Sequence, residues 1–264
     1  MRKSVIQELL SVESTELLSE IQIFDEIDST NVEAIRQIRS GNSSNCLILA
    51  KAQSAGRGRR GRNWASPPEA GIYMSMVRQF TLPPNALQAL SLVTALSVKS
   101  ALEKMKVQGL KLKWPNDILF EKKKLAGILL ELQQQEERCH VVFGIGLNIA
   151  LPQEVGKSIG RPVTDIVSIT GLKPDLNMTV AAIVNELCIN LTKFEQSGFS
   201  SFTDSWNESD CYFHSDVVIQ NGERSTIGKS LGVDSNGALL LQTATGKQLI
   251  NGGEVFPSLR ELPT

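Results

Sequence analysis

Between Lys51 and Gly71 the sequence reads KAQSAGRGRRGRNWASPPEAG, with Arg57, Arg59, Arg60 and Arg62 interleaved among Gly56, Gly58 and Gly61. Glycines let a backbone wrap closely around a small anion, and arginines clamp phosphate or carboxylate with two parallel N–H bonds. The stretch Gly56–Gly61 fits G-x-G-x-x-G, but a dinucleotide fingerprint needs a strand directly before it and a helix directly after. Here KAQSA intervenes on one side and Pro67-Pro68 forbids a helix on the other. No acidic residue follows at the distance that would take a ribose hydroxyl. A nucleic-acid patch has the phosphate-binding charge, yet Trp64 is the only aromatic nearby. A solvated basic loop remains open from charge alone. The pattern favours a small phosphorylated ligand.

A second constellation is LKLKWPNDILFEKKKLAGILLE, residues 110–131. Lys113 ends one apolar alternation. Lys124 opens another, and Gly127 follows inside it, where a glycine often marks close approach of a ligand. Lys124 is thus a candidate phosphate or carboxylate binder, although a solvated lysine in the EKKK turn is the plainer reading of this feature by itself. Asn116 and Asp117 suit a tight turn, and Trp114 suits a core.

These groups must be positioned by elements that the patterning predicts. Val5, Ile6, Leu9 and Leu10 space a helix over 4–12. QIFDEI reads as a strand ending near Asp28. Thr30 to Glu33 is T-x-x-E, a capping box, opening a helix over about 31–40 that stops at Gly41. CLILA, 46–50, is a buried strand, and GIYMSMV, 71–77, an alternating one. Asn85 can cap a long apolar helix. Strands follow at 110–114, 118–121 and 125–132, then HVVFGIGLNI, a loop over 151–177, a helix at about 179–196 and a shorter one near 199–206. From Asp216 on, Asn221-Gly222, Asn236-Gly237, Thr245-Gly246 and Gly252-Gly253 punctuate short alternating runs, the strongest short-range hairpin signal. Hairpin-length turns cannot make parallel crossovers. The prediction is therefore an α+β fold with a mixed sheet and flanking helices, followed by a small barrel-like β domain.

With 264 residues the chain can hold both cores. Lys plus Arg number 27 against 28 Asp plus Glu, so no global field attracts nucleic acid or membrane, and any basic site is local. Cys46, Cys139, Cys188 and Cys211 form no C-x-x-C, and His140 and His214 lack partners at ligand spacing; buried reduced thiols and no permanently bound metal are expected. The amino terminus lacks the apolar core of a signal peptide and no stretch approaches ~18 apolar residues, so a cytoplasmic protein without membrane association is expected.

DSTN at 28–31, QSAGRGRRGRNW at 53–64, KWPND at 113–117, KKLAGILLE at 123–131 and GIGLN at 144–148 together resemble the biotin protein ligases, in the same order, with the match running from residue 25 to about 260. The resemblance implies the mixed sheet shared with class II aminoacyl-tRNA synthetases and an SH3-like C-terminal β-barrel. It divides the chain into an N-terminal helical extension (1–24), a catalytic biotin- and ATP-binding domain (25–212) and a C-terminal domain (213–264). It implies activation of biotin by ATP with Mg²⁺ to biotinyl-5′-AMP, then transfer to one lysine of a biotin carboxyl carrier protein, typically that of acetyl-CoA carboxylase.

By that resemblance Lys124 lies beside the biotin carboxylate and the α-phosphate, with Arg59 and Arg60 also catalytic. Ser29, Thr30, Asn31, Gln53, Arg57, Gly58, Arg59 and Gly127 line the biotin site. Trp64, Arg60, Arg62, Lys113, Asn116, Asp117 and Asn148 serve ATP and the adenylate. The chemistry suits these types. A carboxylate attacking a phosphate needs fixed positive charge, and hydroxyls and amides suit a neutral ureido ring that donates and accepts hydrogen bonds. Many bacterial relatives carry an N-terminal winged helix that binds operator DNA. About 24 residues precede the first core strand here, so no specific DNA binding is expected. A homodimer is possible by analogy. The rivals are a lipoate–protein ligase, whose substrate offers no ureido group, an RNA- or DNA-binding module using the Arg/Gly loop, and a biotin-binding regulator without catalysis.

Overall fold

A computed structural model describes residues 1–41, 45–135 and 138–257. It has the expected α+β architecture. A seven-stranded sheet is built from β1 (Glu20–Ile27), β2 (Cys46–Gln53), β3 (Gly71–Phe80), β4 (Leu110–Lys113), β5 (Asp117–Phe120), β6 (Lys123–Gln135) and β7 (Arg138–Asn148), in the order β1-β2-β3-β7-β6-β5-β4. Only β1 and β2 pair in parallel, because α3 (Thr30–Arg39) crosses between them; each later pair is antiparallel.

The two faces of the sheet differ. One is covered by α4 (Leu90–Lys104) and α7 (Leu176–Ser197), which seal the large core. Along β7, Val141, Phe143, Ile145 and Leu147 enter that core, and alternation sends Val142, Gly144 and Gly146 to the opposite face. There α3 covers only the far end of the strand, with Ala34, Ile35 and Ile38 over Ile48, Val77 and Val142. The glycine end is left without a helix above it.

Several boundaries depart from the sequence reading. The first helix breaks into α1 (Lys3–Leu9) and α2 (Val12–Leu17), because Ser11 is extended and its hydroxyl caps α2 at Ser14 N, 3.2 Å away. Both pack on α7, where Asn185 accepts from Ser11 N at 2.9 Å and donates to Leu9 O at 3.1 Å. The T-x-x-E pair does not form a capping box. Ser29 is the cap residue, no side chain caps it, and Thr30 turns its hydroxyl inward to Gln53 Oε1 at 3.2 Å. Asn85 does not cap the long helix either; it sits in a 3₁₀ turn over Pro84–Leu87, and α4 begins at Leu90. The stretch expected as a loop holds α5 (Gln153–Ser158) and α6 (Ile166–Thr170).

After α8 (Thr203–Ser209) come β8 (Asp216–Asn221), β9 (Arg224–Val233), β10 (Leu239–Thr243), β11 (Gly246–Ile250) and β12 (Glu254–Pro257). All four expected turns separate strands. The sheet is antiparallel in the order β11-β10-β9-β8-β12, and its end strands are not joined, so it stops short of a closed barrel. Trp114 is core, as expected of it, but its indole N–H donates to Gly237 O at 3.1 Å and ties this sheet to the large domain.

Candidate functional site

The uncovered glycine end of the large sheet is the floor of a cleft. Gly127 on β6 pairs with Gly146 on β7. A Cβ on Gly146 would fall 2.4 Å from Trp64 Cε2, and one on Gly127 2.9 Å from both Trp64 Cζ3 and Lys124 Nζ. On Gly144 it would fall 2.2 Å from Asn31 Oδ1. Only bare backbone lets the indole and the Asn31 amide lie on these strands. Lys124 Nζ stands 5.2 Å from the indole centroid. Trp64 Nε1 is buried without a hydrogen-bond partner among the described residues, a polar atom removed from water and unpaid by protein.

At one end of the cleft the groups are neutral. Gln53 Oε1 accepts from Thr30 N at 2.8 Å, and Gln53 Nε2 donates to Ser66 Oγ at 2.7 Å. The Ser75 hydroxyl lies 2.8 Å from Thr30 Oγ1 and 2.6 Å from Asn31 Oδ1. Ser29 is buried beside them, and its hydroxyl has no hydrogen-bond partner among the described residues.

At the other end lies charge. Lys124 is not a solvated turn lysine: it is 7% exposed and its ammonium meets Asp117 Oδ1 at 2.5 Å. Burial pulls this lysine below its ordinary range, and the Asp117 carboxylate opposes the shift. The main chain around it is stitched on both sides. Lys124 N donates to Pro162 O and Thr164 N to Lys124 O, each at 3.0 Å. Asn148 Nδ2 donates to Thr164 O at 2.9 Å and to Lys124 O at 3.4 Å. Asn116 stays in the turn and Asp117 opens β5. The Asn116 amide donates to Ile128 O at 2.8 Å and its carbonyl accepts from Arg59 at 3.1 Å. Lys113 Nζ rests 5.0 Å over the Phe256 ring.

The Arg/Gly loop is the roof. It closes on itself through Gly58 N to Arg62 O at 2.7 Å and Trp64 N to Gly56 O at 2.9 Å. A Cβ on Gly56 would strike Trp64 O at 2.4 Å, which explains that glycine. The loop has no acid of its own, yet its charges are met from afar. Arg57 pairs with Glu131 at 3.1 Å, and Glu131 also accepts from Asn31 at 2.8 Å. Arg62 forks onto Glu254 at 3.0 and 2.6 Å. Arg60 donates to Gln220 O and Asn221 Oδ1, both at 3.3 Å.

Every candidate from the sequence except Asn148 lines this cleft. Asn148 bonds to the Lys124 main chain and lines an adjoining cavity that shares Trp64 and Lys124 with the cleft, with Ser158, Arg161 and Phe256. Sequence reasoning missed Glu131, Ser75, Arg161 and Glu254. Glu131 lies within a quoted motif but was not singled out, and the others belong to no motif. Among the described residues no three His, Cys, Asp or Glu side chains cluster as a metal site.

Residues 23–148 match the Biotin/lipoate A/B protein ligase family and residues 217–256 the Biotin protein ligase C terminal domain. The chain is 34% identical to the Bifunctional ligase/repressor BirA of Escherichia coli (strain K12), over 89% of this chain and 73% of that protein. It is 32% identical to the Biotin--[acetyl-CoA-carboxylase] ligase of Paracoccus denitrificans, over 87% of this chain and 97% of the other. The chain belongs to the biotin protein ligase family. A solved structure of the biotin protein ligase from Aquifex aeolicus in complex with biotin and ATP superimposes with a TM-score of 0.75 at 31% identity, covering 90% of this chain and 98% of that one.

The first biotin protein ligase match contains every candidate residue from Ser29 to Asn148. The second contains Gln220, Asn221 and Glu254, which receive the arginines of the roof. The cleft is thus assembled from both matched regions.

Proposed function

We propose that this protein activates biotin with ATP as biotinyl-5′-AMP and transfers the biotinyl group to a lysine of a biotin carboxyl carrier domain, that of acetyl-CoA carboxylase by analogy with the named relatives. The observation that carries this reading is the polarity of the cleft. Neutral hydroxyls and amides at Ser29, Thr30 and Gln53 stand at one end and a buried, paired ammonium at Lys124 at the other, over one glycine floor. The bicyclic ring of biotin suits the first end and its carboxylate the second.

In the first step a biotin carboxylate oxygen forms a bond to the α-phosphorus of MgATP, and the bond to the bridging oxygen breaks as pyrophosphate leaves. Lys124 stands where the carboxylate and the α-phosphate converge and offsets their repulsion. Asp117 opposes the downward pull that burial exerts on that ammonium. Arg57, Arg59, Arg60 and Arg62 exchange their present protein partners for ligand oxygens, and Gly58 lets the loop come close. Trp64 takes the adenine on its ring. Asn116 and Asp117 serve the adenylate or the Mg²⁺ that arrives with ATP, Lys113 adds positive charge, and Asn148 holds the Lys124 strip in place. In the second step the carrier lysine amine attacks the acyl carbon, the acyl–phosphate bond breaks, AMP leaves and the amine loses a proton. No protein nucleophile is required.

We assign residues 25–212 to catalysis, 213–264 to the C-terminal domain and 1–24 to a helical extension, with α1 and α2 docked on α7 rather than displayed for DNA. Free thiols at Cys46, Cys139, Cys188 and Cys211 support a reducing, cytoplasmic setting, and no helix among the described residues is long and apolar enough to cross a membrane. Lipoate offers nothing to the Gln53 and Ser29 end, which favours biotin. The test is pyrophosphate exchange followed by transfer to a carrier domain. Exchange driven by biotin and not lipoate is expected; exchange with lipoate alone, or none with either, would overturn the proposal.

A further inference from the structure

Arg161 lines both the cleft, beside Lys124, Lys113 and Glu254, and the adjoining cavity that also holds Trp64, yet it belongs to none of the motifs. The other arginines of the cleft are engaged: Arg57 with Glu131, Arg59 with Asn116, Arg60 with Gln220 O, and Arg62 with Glu254. Arg161 is half-buried and makes no ion pair or side-chain hydrogen bond with any described residue. It is nonetheless held in place. Its neighbours Pro162 and Thr164 are hydrogen-bonded to the Lys124 main chain on either side, and Val163 pairs with Lys124 as a short parallel bridge. Its charge reaches the buried ammonium of Lys124 and the carboxylate of Glu254.

A fixed, half-buried guanidinium kept beside a buried cation, with no carboxylate of its own, raises the energy of the empty cleft. That repulsion turns into attraction when a polyanion enters. The side of the cleft decides which anion. The cavity that Arg161 shares with Trp64, Asn148 and Phe256 contains none of Ser29, Thr30 or Gln53. Arg161 therefore stands on the nucleotide side of Lys124.

We propose that Arg161 binds the phosphate chain of the nucleotide and stabilises the pyrophosphate as it departs. The proposal rests on the adenylation reading above. As the bond from the α-phosphorus to the bridging oxygen breaks, negative charge moves onto the leaving pyrophosphate, and the planar fork of Arg161 donates two N–H groups to it.

The test compares Arg161→Ala, Arg161→Gln and Arg161→Lys with the wild type. A lost charge-assisted contact is expected to raise the KM for MgATP roughly ten- to hundredfold while leaving the KM for biotin unchanged. Arg161→Lys is expected to recover part of the loss, having the charge but not the fork. Inorganic pyrophosphate alone should raise the melting temperature of the wild type and not that of Arg161→Ala or Arg161→Gln. An unchanged KM for MgATP in Arg161→Ala, or a pyrophosphate shift that is absent in the wild type or equal in the variants, overturns the assignment. Absence of exchange in the wild type defeats the adenylation reading instead, and the pyrophosphate shifts still decide Arg161.

Discussion

The floor and the roof of the cleft both carry strong positive charge, and they hold it in opposite ways. On the floor, Lys124 is 7% exposed, pinned by Asp117 and stitched through its own main chain to residues 162 and 164. On the roof, the side chains of Arg57 and Arg62 are 48% and 51% exposed, and they lean on Glu131 and Glu254 through pairs open to water. Exposed pairs contribute between nothing and about 1 kcal/mol and are easily exchanged, whereas breaking a buried pair costs about 3–5 kcal/mol. One cation is preorganised and the others are poised to change partners. A reaction that needs fixed charge at the phosphorus and a cover that opens for substrates needs both kinds.

The largest effect should come from the floor. Lys124→Ala is expected to slow adenylation by on the order of 10²–10³ in pyrophosphate exchange. It should also destabilise the fold, because Asp117 is left buried and unpaired. Adding Asp117→Asn should restore much of the melting temperature and none of the rate. A single variant with wild-type turnover would erase the contrast.

Next comes the glycine pavement. Gly146→Val places a Cβ 2.4 Å from Trp64 Cε2, so the indole must leave the sheet. Overpacking of this kind costs about 1–3 kcal/mol. Titration with MgATP by calorimetry should show at least roughly tenfold weaker binding, and unchanged affinity would mean that the indole position is irrelevant.

The roof should respond in motion rather than in stability. Glu254→Gln removes the fork from Arg62 and is expected to cost less than about 1 kcal/mol. Trypsin, which cuts after arginine, should then cleave at Arg57, Arg59, Arg60 and Arg62 several-fold faster in the free variant. Biotin with MgATP should slow cleavage in variant and wild type alike. Equal cleavage with and without Glu254 would make the roof as rigid as the floor.

The smallest effect lies beside the β4 edge. Asp210 is buried, its carboxyl is pushed up to about 6 by desolvation, and one oxygen accepts from Tyr212 N at 2.9 Å. Its folded value is above the unfolded one, so the protonated form favours the fold. That contribution is full below the unfolded value near 3.8 and is lost as pH rises through about 6. Asp210→Asn should therefore raise the melting temperature by a few degrees at pH 8 and leave it unchanged at pH 3.5.

Much of this arrangement was legible because the motifs are local. The glycines of the loop, the KWPND turn and the strand after Lys124 each announce a backbone need or a charge at one place. What was not legible depends on which strands meet. T-x-x-E at Thr30 satisfies the capping pattern, but nothing in the spacing says that Thr30 faces Gln53 and Ser75 across the sheet. The arginine-rich loop looked unpaired because Glu131 and Glu254 lie 74 and 192 residues from the arginines they meet, Arg57 and Arg62. Arg161 had no local signal at all; only the bridge between Lys124 and Val163 brings it to the cleft. Asn148 carried a motif, yet its amide is spent on carbonyls of the main chain.

The hydrogen bond from the Trp114 indole to Gly237 O has a bearing on cooperativity. Gly237 also packs so tightly on Ala89 and Leu92 that a Cβ there would approach them at 2.8 and 2.9 Å. Detaching the C-terminal sheet would strip an acceptor from a buried donor and bare the first turn of α4 at once. Its loss should therefore propagate into the helix that packs on β4, β5, β6 and α7, and the two regions are expected to melt together rather than as an enzyme and an appendage.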